Sequence, residues 1–132
     1  MPRFVVDSWA WVEYLRGTSR GEQVHKKIDS RAELLTHVVT LAELTSKFRR
    51  QGLDVEAAWQ AVRALSKILT IDETDAKNAG VLHATIKQSR ANFSLADAFV
   101  LQAARKLHCK ILTGDPDFRG MKDAIMLGKE GF

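Results

Sequence analysis

The run Phe4-Val5-Val6-Asp7-Ser8 decides the reading of this chain. Three consecutive apolar residues read as a short buried strand, and that strand stops on a carboxylate. The same pattern returns along the sequence. Ser8 to Arg16 reads as a helix that Gly17 stops, and Gly21 to Ile28 as a second, more polar helix. Leu34 to Val39 is apolar and partly β-branched, a second strand, and Thr40 to Arg50 is a helix closed by Gln51-Gly52. From Asp54 to Lys67, Val55, Ala58, Trp59, Val62 and Leu65 recur at helical spacing. Ile68 to Ile71 reads as a strand, Thr74 to Gln88 and Ser94 to Leu107 as helices, and Lys110 to Thr113 as a strand ended by Gly114. A turn or short helix from Asp115 to Arg119 and a last strand from Ala124 to Leu127 complete the chain. Short apolar strands alternating with amphipathic helices predict an α/β fold, a mainly parallel sheet covered by helices on both faces.

In such folds chemistry lies at the carboxyl ends of the strands. Four acids fall there or on helix starts beside it: Asp7 closes the first strand, Glu43 lies in the first turn after the second, Asp97 in the first turn of the Ser94 helix, and Asp115 after the Ile111-Leu112-Thr113 strand. Helix capping is the competing explanation for each. Thr40-Leu41-Ala42-Glu43 matches a capping box, Ser94-Leu95-Ala96-Asp97 is close to one, and Asp7 and Asp115 suit N-caps, with Pro116 at a first helical position.

The neighbours of these acids argue for more than capping. Asp97 sits among Leu95, Ala96, Ala98, Phe99, Val100 and Leu101, and Asp7 between Val6 and Trp9. Buried carboxylates are costly unless paired or bound to a cation. Two of them about 5 Å apart repel by roughly 3 kcal/mol at an effective dielectric near 20. A divalent ion removes that repulsion, and all-oxygen ligands suit Mg²⁺ or Mn²⁺ rather than zinc. Such ions activate water and polarise phosphoryl oxygens, so the chemistry expected is phosphodiester hydrolysis.

Composition agrees. The 132 residues fit a single domain over 1–132, with no repeat or linker to mark a boundary. The net charge is +4 and the pI about 9.4, and setting the four acids aside leaves 20 basic residues against 12 acidic. A basic surface around an acidic hole suits a nucleic-acid substrate. The start of the chain lacks a signal-peptide pattern, no apolar stretch is long enough for a membrane helix, and the single Cys109 allows no internal disulfide, so a cytoplasmic setting is expected.

Phe4-Val5-Val6-Asp7-Ser8, Thr40-Leu41-Ala42-Glu43-Leu44, Leu95-Ala96-Asp97-Ala98 and Leu112-Thr113-Gly114-Asp115-Pro116-Asp117-Phe118 together resemble the four acidic motifs of PIN-domain nucleases, in order and over nearly the whole chain. The length resembles VapC-type toxins of toxin–antitoxin pairs. The resemblance implies a three-layer α/β/α fold, Mg²⁺ or Mn²⁺ dependence, endonucleolytic cleavage of RNA, a homodimer, and inhibition by an antitoxin protein. It implies that Asp7, Glu43, Asp97 and Asp115 bind metal and catalyse, with Thr113 supporting the last carboxylate and Asp117 as an auxiliary acid. An RNA-processing nuclease without a toxin role, and a catalytically silent PIN fold that only binds, stay open beside it. A phosphoacceptor receiver domain fits poorly, since only Asp7 is early and the late strand ends in Thr113-Gly114-Asp115 rather than a lysine.

Lys47, Arg49 and Arg50 follow Glu43 on one helix and are candidate phosphate contacts, with a solvated helix end as the alternative; Arg90 and Arg119, near the Asp97 and Asp115 motifs, are further candidates for RNA contact. His25, His37, His83 and His108 lack metal-ligand spacing, and Ser8 lacks a nucleophile-elbow context. Trp9 and Trp11 point in different directions on a helix, which leaves one of them available to a surface.

Overall fold

Along β1 (Arg3–Val6) the side chains alternate between two cores, which is what a strand buried on both faces must do. Phe4 and Val6 join one cluster with Trp11, Val24, Leu34, Leu44, Phe48, Ala58 and Val62, while Val5 joins the other with Leu35, Phe93, Leu101, Ile111 and Phe118. The computed structural model describes residues 2–128. Its further elements are α1 (Ser8–Leu15), α2 (Ser19–Asp29), β2 (Glu33–His37), α3 (Val38–Arg50), α4 (Val55–Leu65), β3 (Lys67–Leu69), α5 (Glu73–Lys87), α6 (Leu95–Lys106), β4 (Lys110–Thr113), a 3₁₀ turn (Pro116–Phe118) and β5 (Ala124–Met126).

The five strands form one parallel sheet in the order β3-β2-β1-β4-β5. Residues of α1 to α4 pack on one face and those of α5 and α6 on the other, giving the three-layer α/β/α arrangement. The chain builds outward from β1 to β3, then returns to place β4 on the other side of β1. The strand order therefore reverses between β1 and β4, and a crevice opens beyond the carboxyl ends of strands at such a point. Asp7 follows β1 and Asp115 follows β4, so both border it.

Most elements differ from the sequence reading by a residue or two at an end, and those around β2, α3 and β3 have a clear physical reason. β2 ends at His37 and the next helix begins at Val38, two residues before Thr40. The His37 Nδ1 accepts the Val39 N–H at 3.0 Å and caps α3, which outweighs the strand preference of Val38 and Val39. Thr40-Leu41-Ala42-Glu43 is therefore not a capping box, and Glu43 lies in the second turn of α3 rather than the first. β3 covers Lys67–Leu69 instead of Ile68–Ile71, because Leu69 already pairs with His37, the last residue of β2, and Thr70 and Ile71 have no partner strand beyond it.

Candidate metal centre

Each acid is placed by a local backbone feature. Asp7 leaves β1 with its main-chain N–H donating to Leu112 O at 3.2 Å, and its Oδ1 caps α1 by accepting the Ala10 N–H at 3.0 Å. Its Oδ2 accepts the Thr113 hydroxyl, which ties the end of β1 to the end of β4. The Thr113 Oγ1 in turn accepts the Asp115 N–H at 3.0 Å. Asp115 Oδ1 caps the 3₁₀ turn by accepting the Asp117 N–H at 2.9 Å. Asp97 completes a true capping box: Ser94 Oγ accepts the Asp97 N–H at 3.0 Å, and Asp97 Oδ2 accepts the Ser94 N–H at 2.9 Å.

Capping and metal binding are therefore not alternatives for Asp97 and Asp115. Each commits one oxygen to the backbone, which fixes the rotamer, and turns the carboxyl toward its neighbours. Oxygens of Asp97, Asp115 and Asp117 lie within 4.8 Å of one another, and Asp117 acts on the charge of both of the others. The electrostatics record the crowding. Burial raises Asp97 to about 7, helped by Asp115 and Asp117 against the Ser94 hydrogen bonds. Burial also raises Asp7 to about 7, with the Thr113 and Ala10 hydrogen bonds pulling down and Asp115 and Asp97 pushing up. Asp115 is raised by burial and then by Asp117. Carboxyls this close to one another hold protons near neutral pH or share a cation. The donor set is all oxygen, which fits a hard divalent ion.

Asp7 and Glu43 stand outside the tight group of three. Asp7 is 5% exposed and has both oxygens engaged, so it braces β1 against β4. Glu43 is exposed on α3; partial burial of its carboxyl raises its pKa, as does Asp115, while a hydrogen bond from Ser8 and the charge of Lys47 lower it. Ser8 thus orients Glu43, a role whose only sequence signal is its place directly after Asp7.

The basic candidates separate. Lys47 is near enough to Glu43 to act on its charge. Arg49 and Arg50 are exposed in the last turn of α3, about 9 and 10 Å along the axis from Glu43 at 1.5 Å per residue. Arg90 Nη1 donates to Asp117 O at 2.9 Å and so holds the main chain of the acidic turn. Arg119 ends that turn, exposed, with its N–H on Pro116 O at 3.0 Å.

A family model for the PIN domain matches residues 4–124. The chain belongs to the PIN-domain family. Solved structures agree at the level of fold. A toxin–antitoxin complex from Klebsiella pneumoniae matches with a TM-score of 0.71 at 14% identity, covering 95% of this chain and 98% of that one. VapC20 of Mycobacterium tuberculosis, described as a sarcin-ricin loop cleaving toxin, matches with a TM-score of 0.71 at 18% identity over 91% and 95% of the two chains. VapBC2 of Rickettsia felis, bound to a DNA fragment of its promoter, gives 0.71 at 11% identity over 94% and 96%. No curated protein sequence matches the chain. Among the described residues of this PIN domain, no helix is long and apolar enough to cross a membrane.

Proposed function

We propose that this PIN domain is a divalent-metal-dependent endoribonuclease and the toxin of a toxin–antitoxin pair. The observation that carries the reading is the convergence of Asp97, Asp115 and Asp117 within 4.8 Å beside the strand-order reversal. These three carboxylates would hold Mg²⁺ or Mn²⁺, with Asp7 behind them and Glu43 at the rim as further acidic groups of the same centre. When bound, such an ion polarises a phosphoryl oxygen and lowers the pKa of water. Thr113 and Ser94 fix Asp7 and Asp97 through hydroxyl contacts, Arg90 fixes the turn bearing Asp117, and Ser8 steadies Glu43. The likeness to toxin–antitoxin structures supports a protein antitoxin as partner, and with it a homodimer and a cytoplasmic setting.

The test is cleavage of a labelled single-stranded RNA by the purified protein. Cutting is expected with Mg²⁺ or Mn²⁺, absent in EDTA, and reduced at least about 100-fold in Asp97→Asn. Cutting that survives EDTA, or an Asp97→Asn variant as active as the parent, would overturn the reading.

A further inference from the structure

Trp9 and Arg20 have no role in the centre described so far, yet they are built against it. Trp9 is the second residue of α1 and half-buried. Its six-membered ring occupies the space beside Gly114: a Cβ on that glycine would lie 2.2 Å from Cζ3 and 2.4 Å from Cη2 of the indole. The ring is thus pressed onto the turn between Thr113 and Asp115. Any residue but glycine at 114 would drive it away. Over the same ring, 5.4 Å from its centroid, lies the guanidinium carbon of Arg20, which comes from α2.

Arg20 has no carboxylate partner among the described residues. The ion pairs found among the described residues are His25–Asp29, Arg105–Asp123 and Lys106–Asp75, and none includes it. The comparable pair Arg63–Trp59 joins neighbours one turn apart on α4, where such a contact comes from helix geometry alone. Arg20 reaches Trp9 from a different helix, and the indole beneath it packs on Gly114, the residue before Asp115.

A cluster of acids repels a phosphate chain, so a substrate strand needs cations close beside it. A guanidinium lying on an indole is held there by cation–π attraction and keeps its N–H edge for a phosphate oxygen and its outer face for a base. We propose that the Trp9–Arg20 pair is the subsite for a nucleotide flanking the cleaved bond in single-stranded RNA, with Arg20 on its phosphate and its base extending the indole–guanidinium stack. The base must be unpaired to stack there, which makes the subsite select single strands over duplex.

This inference rests on the ribonuclease reading, so binding and cleavage are measured separately. Anisotropy of a labelled unstructured 12-nucleotide RNA in EDTA reads binding, and Mn²⁺-supported cleavage reads kcat and KM. Arg20→Ala is expected to weaken binding about tenfold, to reduce the salt slope by about 0.7, and to raise KM with kcat within about twofold. Arg20→Lys restores the salt slope but less than half of the lost binding free energy, because an ammonium does not stack. Lys110→Ala, at the amino end of β4 and so at the opposite end of the strands from the acids, leaves both unchanged, and thermal melts confirm that Arg20→Ala is folded. Arg20→Ala binding within twofold of the parent, in a preparation whose parent binds and cuts RNA, overturns the subsite and leaves the ribonuclease reading intact. A parent protein that neither binds nor cuts RNA overturns both.

Discussion

Asp7 carries a proton near neutral pH when no cation is present, because burial opposes its charge more than two hydrogen bonds favour it. Its folded pKa of about 7 lies above the unfolded 3.8, so the stabilisation is complete below about pH 4 and is lost as pH rises through 7. At 1.36 kcal/mol per unit the loss reaches about 4 kcal/mol as an upper bound. Asp97, half-buried, acts in the same direction with a smaller effect. His37, whose pKa is lowered by burial, opposes them as pH falls below about 6.5. The difference between parent and Asp7→Asn therefore isolates Asp7. In chelator, Asp7→Asn is expected to melt higher than the parent at pH 8 and to converge with it toward pH 5. A variant that melts lower than the parent at pH 8 would show that Asp7 is ionised without strain.

Thr113 is the other residue on which the centre depends. Its hydroxyl donates to Asp7 and accepts from the Asp115 N–H, fully buried. Thr113→Val keeps the shape and removes both contacts. The expected cost is about 1–3 kcal/mol in urea unfolding and about 10–100-fold in metal affinity. Unchanged affinity by calorimetry would mean that the hydroxyl supports only the fold.

At the scale of elements, α1 and α2 meet at Gly21, where a Cβ would fall 2.3 Å from the Glu13 carbonyl oxygen. Backbone cannot yield as a flexible side chain does, so Gly21→Ala must separate the helices. A loss of about 1–3 kcal/mol is expected in urea unfolding. Because α2 carries Arg20 and α1 carries Trp9, the same variant should also weaken RNA binding; a variant as stable as the parent would contradict the close packing. The sequence marked Gly21 only as a helix start, since a close approach between two helices leaves no periodic signal. The α3 boundary was hidden for a related reason: His37 caps through a ring nitrogen, whereas capping residues are usually Ser, Thr, Asp or Asn.

At the scale of the molecule, the sheet and its layers were legible because buried parallel strands must be short apolar runs and their crossover helices amphipathic. The order β3-β2-β1-β4-β5 was not, since strand neighbours are set by long-range packing. Asp7, Asp97 and Asp115 stood out by ending strands or opening helices. That Asp117 joins Asp97 and Asp115 more tightly than Asp7 does follows from the 3₁₀ turn after Pro116, which folds Asp117 back beside Asp115. Arg90 was marked only by proximity in sequence; that one of its guanidinium N–H groups holds the Asp117 carbonyl left no signal there, because the contact joins residues 27 apart.

The most direct test of the metal centre is calorimetric titration of Mn²⁺ into the metal-free protein at pH 7, in two buffers of different ionisation enthalpy. The account predicts saturable binding with release of about one proton, since carboxyls with pKa values near 7 must ionise to take the ion, and loss of that binding in Asp115→Asn. Absence of saturable binding in the folded parent, or binding that persists unchanged in Asp115→Asn, would contradict it.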